Sequence, residues 1–247
     1  MPLELREAAC YGSGHAIRGE RDEGESLLKI AAIIQARYNS SRLPGKACME
    51  VNGLPLLWQV YRRVLGCSTV DEVCLAVGED KPEPILDLCD IYGMHWRVGP
   101  EKDLLKRLID TASWVKADVI LRLRADCLFL DPALLDDLVF DWQLRYPRFR
   151  AMSNWPRRYC SEGLDAEVYT LEALLALDRD ALCPREDFAS YAIKQGMVEP
   201  HSHALMGGED LHMSIDTPED LRHAEKVLKR IGNDDWKYKT TLENWNS

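Results

Sequence analysis

A-A-I-I-Q-A-R-Y-N-S-S-R-L-P-G-K, residues 31–46, decides how the rest of the chain is read. The apolar run from Ile30 to Ile34 has no alternation, as expected of a strand buried on both faces. It passes at once into a loop carrying Arg37, Ser40, Ser41, Arg42, Gly45 and Lys46. Arginine and lysine neutralise phosphate oxygens, and glycine lets a backbone approach a ligand closely. A strand feeding a cationic, hydroxyl-rich loop suits a polyphosphate. The spacing is neither G-x-x-x-x-G-K-[ST] nor G-x-G-x-x-G.

Downstream, segments of two periods alternate. Helical spacing marks Leu54–Leu65, Pro84–Tyr92, Lys102–Val115 and Pro132–Leu144; Val73–Val77, Met94–Val98 and Val119–Leu123 read as strands. Such alternation predicts βαβ units and a parallel sheet, with ligands at the carboxyl ends of the strands. After Tyr146 the pattern loosens. Phe149–Asn154, Leu164–Tyr169 and Leu211–Ile215 read as strands, the second in a mixed sheet. Helices are expected at 171–178, 185–195 and Thr217–Ile231. The expected fold is α/β: a Rossmann-like, mostly parallel sheet with one antiparallel element and helices on both faces.

The 247 residues, 46% of them hydrophobic, can bury the core of one domain, placed at 27–232. Residues 1–26 read as a polar, flexible lead without a secretion signal, and 233–247 as a tail that packs on the domain or on a partner. The net charge of −10 argues against a nucleic-acid binder. No apolar run reaches the roughly 18 residues of a membrane span. Eight cysteines without a C-x-x-C pair suggest reduced thiols in a cytoplasmic protein.

Two aspartates stand directly after buried-looking strands, Asp126 and Asp216. Carboxylates converging at one sheet edge can hold a hard cation such as Mg²⁺. Taken singly, each also reads as a turn residue or a helix cap. His201 and His203 read as part of a polar loop rather than a metal pair. Trp96, Trp114 and Trp155 read as core or rim packing.

The opening stretch resembles the signature of the spore coat polysaccharide-type cytidylyltransferases, relatives of the CMP-Kdo and CMP-sialate synthetases. It matches Q-A-R-x-x-S-x-R-L-P-G-K at Gln35, Ala36, Arg37, Ser40, Arg42, Leu43, Pro44, Gly45 and Lys46. Further matches are R-A-D-C-L-F-L-D-P (124–132), S-E-G-L-D-A-E-V-Y (161–169), S-I-D-T-P-E-D (214–220) and Asp103-Leu-Leu-Lys-Arg. Ala125, Leu128, Asp187 and Ala189 depart from the pattern. The resemblance implies the fold of the nucleotide-diphospho-sugar transferases and transfer of CMP from CTP to an acidic sugar, sugar phosphate or phosphonate. Ala36, Arg37, Ser40, Arg42, Gly45 and Lys46 would hold the triphosphate. Asp126 and Asp216 would hold Mg²⁺, and Gly163, Asp165, Glu167 and Glu186 would shape the acceptor side. Arg37, Lys46, Asp126 and Asp216 would carry the chemistry, in a homodimer. Two alternatives stand beside this: an inactive ligand-binding scaffold, and a nucleotidyltransferase using another NTP.

Overall fold

The computed structural model describes residues 28–155, 160–201 and 207–246. The lead read at 1–26, His203 and Ser247 lie outside the described residues. A seven-stranded sheet runs in the order β5-β4-β1-β6-β8-β7-β9. Its strands are β1 (Ile30–Ala36), β4 (Glu72–Gly78), β5 (Trp96–Gly99), β6 (Val119–Arg124), β7 (Ala151–Ser153), β8 (Glu167–Thr170) and β9 (Glu199–Pro200). β1 pairs in parallel with both β4 and β6, and β4 with β5. β8 runs antiparallel to β6 and β7, and β7 is parallel to β9. β8 is thus the one reversed strand of the sheet, as the mixed-sheet expectation required.

The apolar run of β1 is the centre of the molecule because both of its faces are covered. Ile30, Ala32, Ile34 and Ala36 face one core, and Ala31 and Ile33 face the other. The first core is closed by α1 (Leu56–Val64), α2 (Glu83–Tyr92), α4 (Pro132–Arg145), α7 (Pro218–Ile231) and α8 (Tyr238–Trp245). The second is closed by α3 (Leu104–Trp114), α5 (Leu171–Arg179) and α6 (Phe188–Lys194). The chain builds β4 and β5 on one side of β1 and then crosses to β6 on the other. That reversal opens a crevice at the carboxyl ends of β1 and β6, where a doubly wound sheet binds its ligands.

Several boundaries differ from the sequence reading. α1 begins at Leu56, because Glu50–Val51 (β2) and Leu54–Pro55 (β3) pair as a hairpin. Its turn is Asn52-Gly53, both at positive φ, the dipeptide such turns favour. Leu211–Ile215 is no strand. It is an extended strap carrying a single bridge, Glu162 to His212. The strap's backbone bonds go to loops: Met213 N–H to the Glu162 carbonyl (2.7 Å) and Ile215 N–H to the Asp126 carbonyl (2.9 Å). The stretch read as a tail packs on the domain. Tyr238 and Trp245 are buried in the first core, and the Trp245 ring meets Phe129 edge-on at 5.4 Å.

Thr217 opens α7 with a complete capping box, its side chain accepting from Asp220 N–H while the Asp220 carboxylate accepts from Thr217 N–H. The carboxylate also accepts from the backbone N–H of Asp216 (3.0 Å). Thr217→Ala is expected to cost about 1 kcal/mol and lower the melting midpoint by about 2–4 °C, read by thermal unfolding.

Candidate active site

The loop after β1 is held by its own backbone. Gly45, at φ +75°, donates its N–H to the Tyr38 carbonyl at 2.7 Å. A methyl at Gly45 would stand 3.2 Å from the Tyr38 ring, so the turn has little room for any other residue. Asn39 ties the loop to Asp80 (2.7 Å), and Leu43 and Ala47 are buried beneath it. The next residue, Lys46, starts a single 3-10 turn and projects under the sheet edge.

There it meets both aspartates. Lys46 Nζ donates to Asp126 Oδ2 (2.7 Å), to Asp216 Oδ1 (2.9 Å) and to the backbone carbonyl of Ile215 (2.7 Å). Asp126 arrives at the end of β6. Asp216 arrives on the strap, which hangs between the Asp126 backbone and the capping box of α7. Three distant pieces of sequence thus share one buried point.

Arginines share the same carboxylates, with Arg42 on the Asp216 oxygen that Lys46 holds and Arg124 Nη2 on the Asp126 oxygen that it holds (3.2 Å). Arg124 Nε stands 3.1 Å from Asp126 Oδ1, and Arg42 reaches Asp216 Oδ1 at 2.9 Å. Burial works against ionising Asp126, but the charges of Arg124 and Lys46 outweigh it and hold the carboxyl below its ordinary value of 3.8. Burial likewise opposes the charge of Arg124, and Asp126 overcomes it, raising that guanidinium above its usual range. A carboxyl depressed on folding contributes stability that is complete above its unfolded value and is lost as pH falls through the folded one. Asp126→Asn is therefore expected to flatten the acid limb of a stability-against-pH curve below about pH 4, and to leave its slope between pH 5 and 8 unchanged.

The cleft over this point has a volume of about 260 Å³. Of the triphosphate residues expected from sequence, Ala36, Arg37, Ser40, Arg42 and Lys46 line it; Gly45 shapes the turn behind it. Glu186, expected on the acceptor side, lines it too. Three arginines that the sequence reading did not single out join them. Arg122 and Arg124 alternate on β6 and so share a face, and Arg107 comes from α3. Charged residues placed two apart within a buried strand were the available signal. Arg107 is almost fully buried and donates to the Pro100 carbonyl at 2.8 Å. Burial pulls its guanidinium below the ordinary value, against the opposing charge of Glu101.

Two acceptor-side expectations change. Gly163 does not touch the cleft. At φ +101° it lies against the strap, where an added Cβ would stand 2.5 Å from Ser214 N and 2.6 Å from the Met213 carbonyl carbon. It is a packing glycine, needed because two backbones cross there. Glu167 is buried behind the cleft wall, where Arg122 and the Trp155 indole (3.2 Å) both donate to its Oε1. Arg122 in turn donates from Nε to Gln35 Oε1 (2.9 Å), so Glu167 acts on the cleft through Arg122. Asp165 lies just before β8 and stands 3.9 Å from Arg124. Two of the four departures from the resembled pattern have structural accounts: Leu128 fills the first core and Ala189 is buried on α6. Asp103 caps α3 and pairs with Arg185 at 3.0 Å. His201 is buried, with Nδ1 2.7 Å from Asp141, away from the cleft.

Two carboxylate oxygens and a carbonyl oxygen converging on one cationic nitrogen form the donor set of a small hard ion, one that substrate phosphates would complete. Among the described residues no group of three or more His, Cys, Asp or Glu side chains is placed to hold a metal by itself. The residues present therefore fit Mg²⁺ carried in with a nucleotide.

A mostly parallel sheet with a basic loop after its first strand and paired carboxylates at the crevice suits a protein that binds a phosphate-bearing ligand there. The cytidylyltransferase family model matches residues 31–182, and the chain belongs to that family. It is 31% identical over 114 residues to a 3-deoxy-manno-octulosonate cytidylyltransferase of Geobacter metallireducens, covering 45% of this chain and 44% of that protein. The chain thus spans about half the length of several curated relatives it matches. An uncharacterised protein of Methanocaldococcus jannaschii matches at 27% identity over 79% of this chain and 81% of its own length. Among solved structures, a cytidylyltransferase from Leptospira borgpetersenii superposes with a TM-score of 0.82 at 24% identity, covering 88% of this chain and 93% of that one. A CMP:2-keto-3-deoxy-manno-octonic acid synthetase complexed with CTP gives 0.64 at 18% identity, over 82% and 99%. At these identities the two structures speak for the fold.

Proposed function

We propose that the chain catalyses CTP-dependent transfer of CMP to an acidic sugar. An acceptor oxygen attacks the α-phosphorus of CTP, the bond to the β-phosphate oxygen breaks, and pyrophosphate leaves. The observation that carries this is the convergence of Lys46, Asp126 and Asp216 at the mouth of a cleft lined by five arginines, Arg37, Arg42, Arg107, Arg122 and Arg124. Such a transfer asks for positioning and charge neutralisation more than for covalent work. Arg37, Arg42, Ser40 and the loop amides would hold the triphosphate. Arg122 and Arg124, across the cleft, would meet an anionic acceptor beside Glu186. Mg²⁺ held between Asp126 and Asp216 would supply Lewis-acid neutralisation of the α-phosphate.

Pyrophosphate release tests this reading, with CTP, Mg²⁺ and a panel of acidic sugars, sugar phosphates and phosphonates. 3-Deoxy-manno-octulosonate, the sugar in the names of the relatives, comes first. Release is expected with CTP and an acidic sugar, and not with UTP, GTP or ATP. CTP binding without turnover on any acceptor would make the chain a binding scaffold. Turnover with a different nucleotide would move it to another nucleotidyltransferase class.

A further inference from the structure

The surroundings of Lys46 do not match those of a lysine waiting for phosphate. A phosphate-binding lysine keeps donors turned to its ligand, and an ammonium has three of them. All three of Lys46's contacts here go to Asp126, Asp216 and the Ile215 carbonyl. Its side chain is 12% exposed, and those of the two aspartates 12% and 5%. Two buried carboxylates drawn to one point repel each other by several kcal/mol at the effective dielectric of such sites, unless a cation stands between them. In this structure Lys46 is that cation.

We propose that Lys46 is an exchangeable counterion. Its ammonium closes the carboxylate pair until a divalent cation takes the same oxygens, and the side chain then turns into the cleft to meet the phosphates that arrive with it. The proposal rests on the metal–nucleotide reading of the cleft and adds to it a competition between one residue and the ion.

Three features support the exchange. The oxygens that Lys46 holds, two carboxylate and one carbonyl, are the ligand types a hard cation prefers. Arg42, which shares Asp216 Oδ1 with Lys46, is 61% exposed and can withdraw toward solvent, while Arg124 stays on Asp126 through both carboxylate oxygens. Finally, the move needs no backbone rearrangement. The 3-10 turn is fixed by Lys46 N–H to the Leu43 carbonyl (3.2 Å) and Met49 N–H to the Lys46 carbonyl (3.1 Å), and the exchange asks only for new rotamers of a flexible four-carbon stem. The consequence is thermodynamic. A free divalent ion has to evict the ammonium into a cleft where five arginines outnumber the carboxylates of Glu101 and Glu186. An ion arriving with a triphosphate brings an acceptor along. Metal and nucleotide should therefore each tighten the other's binding, by the same factor.

Manganese titration followed by electron paramagnetic resonance, without nucleotide, tests this on the full chain. Lys46→Met removes the competing charge and is expected to bind Mn²⁺ at least tenfold more tightly than the unmodified protein. Lys46→Arg, which keeps a cation, is expected to stay within about threefold of it. Unchanged or weaker Mn²⁺ binding by Lys46→Met overturns the proposal. Should that variant not fold, acetylation of Lys46 in the unmodified protein, read by mass spectrometry, takes its place. Added Mn²⁺ is expected to speed the modification several-fold, and an unchanged rate overturns the exchange. Tighter Mn²⁺ binding by Lys46→Met, with no pyrophosphate release by the unmodified protein on any acceptor, would keep the exchange and reject the transferase reading. Turnover by the unmodified protein with unaltered Mn²⁺ affinity in Lys46→Met would do the reverse.

Discussion

Asp216→Asn is expected to lower the rate of pyrophosphate release by about 100- to 1,000-fold while the chain stays folded. The amide keeps the size of the carboxylate and an oxygen that can still accept from Lys46 and Arg42, so the packing of a side chain only 5% exposed survives. What it loses is one of the two negative charges at the point where a hard cation would sit. A residue at a metal is revealed by the metal titration as well as by the rate. The half-saturating Mg²⁺ concentration should rise at least tenfold in the same variant. An unaltered Mg²⁺ titration, whatever the rate, would take Asp216 out of the ion's surroundings.

Gly163→Ala should be damaging without touching any ligand. The new methyl would have to stand within 2.6 Å of the Met213–Ser214 backbone, at a φ of +101° that side chains rarely adopt. Strain at positive φ and overpacking together cost about 3 kcal/mol, and a chain of this size should lose about 10 °C of melting midpoint. The damage should reach the site as well. The strap that would be pushed away carries Asp216 three residues later and is pinned to the Asp126 carbonyl through Ile215. Pyrophosphate release should therefore fall even at temperatures where the variant is fully folded. A midpoint within 2 °C of the unmodified protein's would show that the two backbones do not press together as described.

Much of the molecule could be read from local pattern. The unbroken apolar run of β1, the helical spacing after it and the proline and glycine stops place the βα rhythm without reference to anything distant. A strand buried on both faces has to be apolar at every position. The basic loop after β1 was equally legible, because its charge lies in its composition. The reading weakened after Tyr146, where elements are short and held by side chains and loops more than by ladders. Leu211–Ile215 looks like a strand because it is extended and half buried, yet its partners are the backbones at Glu162 and Asp126. Glu167 and Gly163 carry the same residue pattern whether they face a ligand or hold up the wall behind one, and in this structure both are support.

By itself, the sequence determined the alternation of elements, the basic character of the loop after β1 and the placing of two aspartates after apolar segments. Each of these follows from residue type and spacing within about a dozen positions. The tertiary structure decided which charges meet. It set Lys46 between Asp126 and Asp216, 80 and 170 residues away along the chain, and brought in Arg107, Arg122 and Arg124. Those meetings depend on the crossover at β1 and on a strap laid over the Asp126 backbone. Coulomb interactions are set by distance in space, which the order of residues along the chain does not carry.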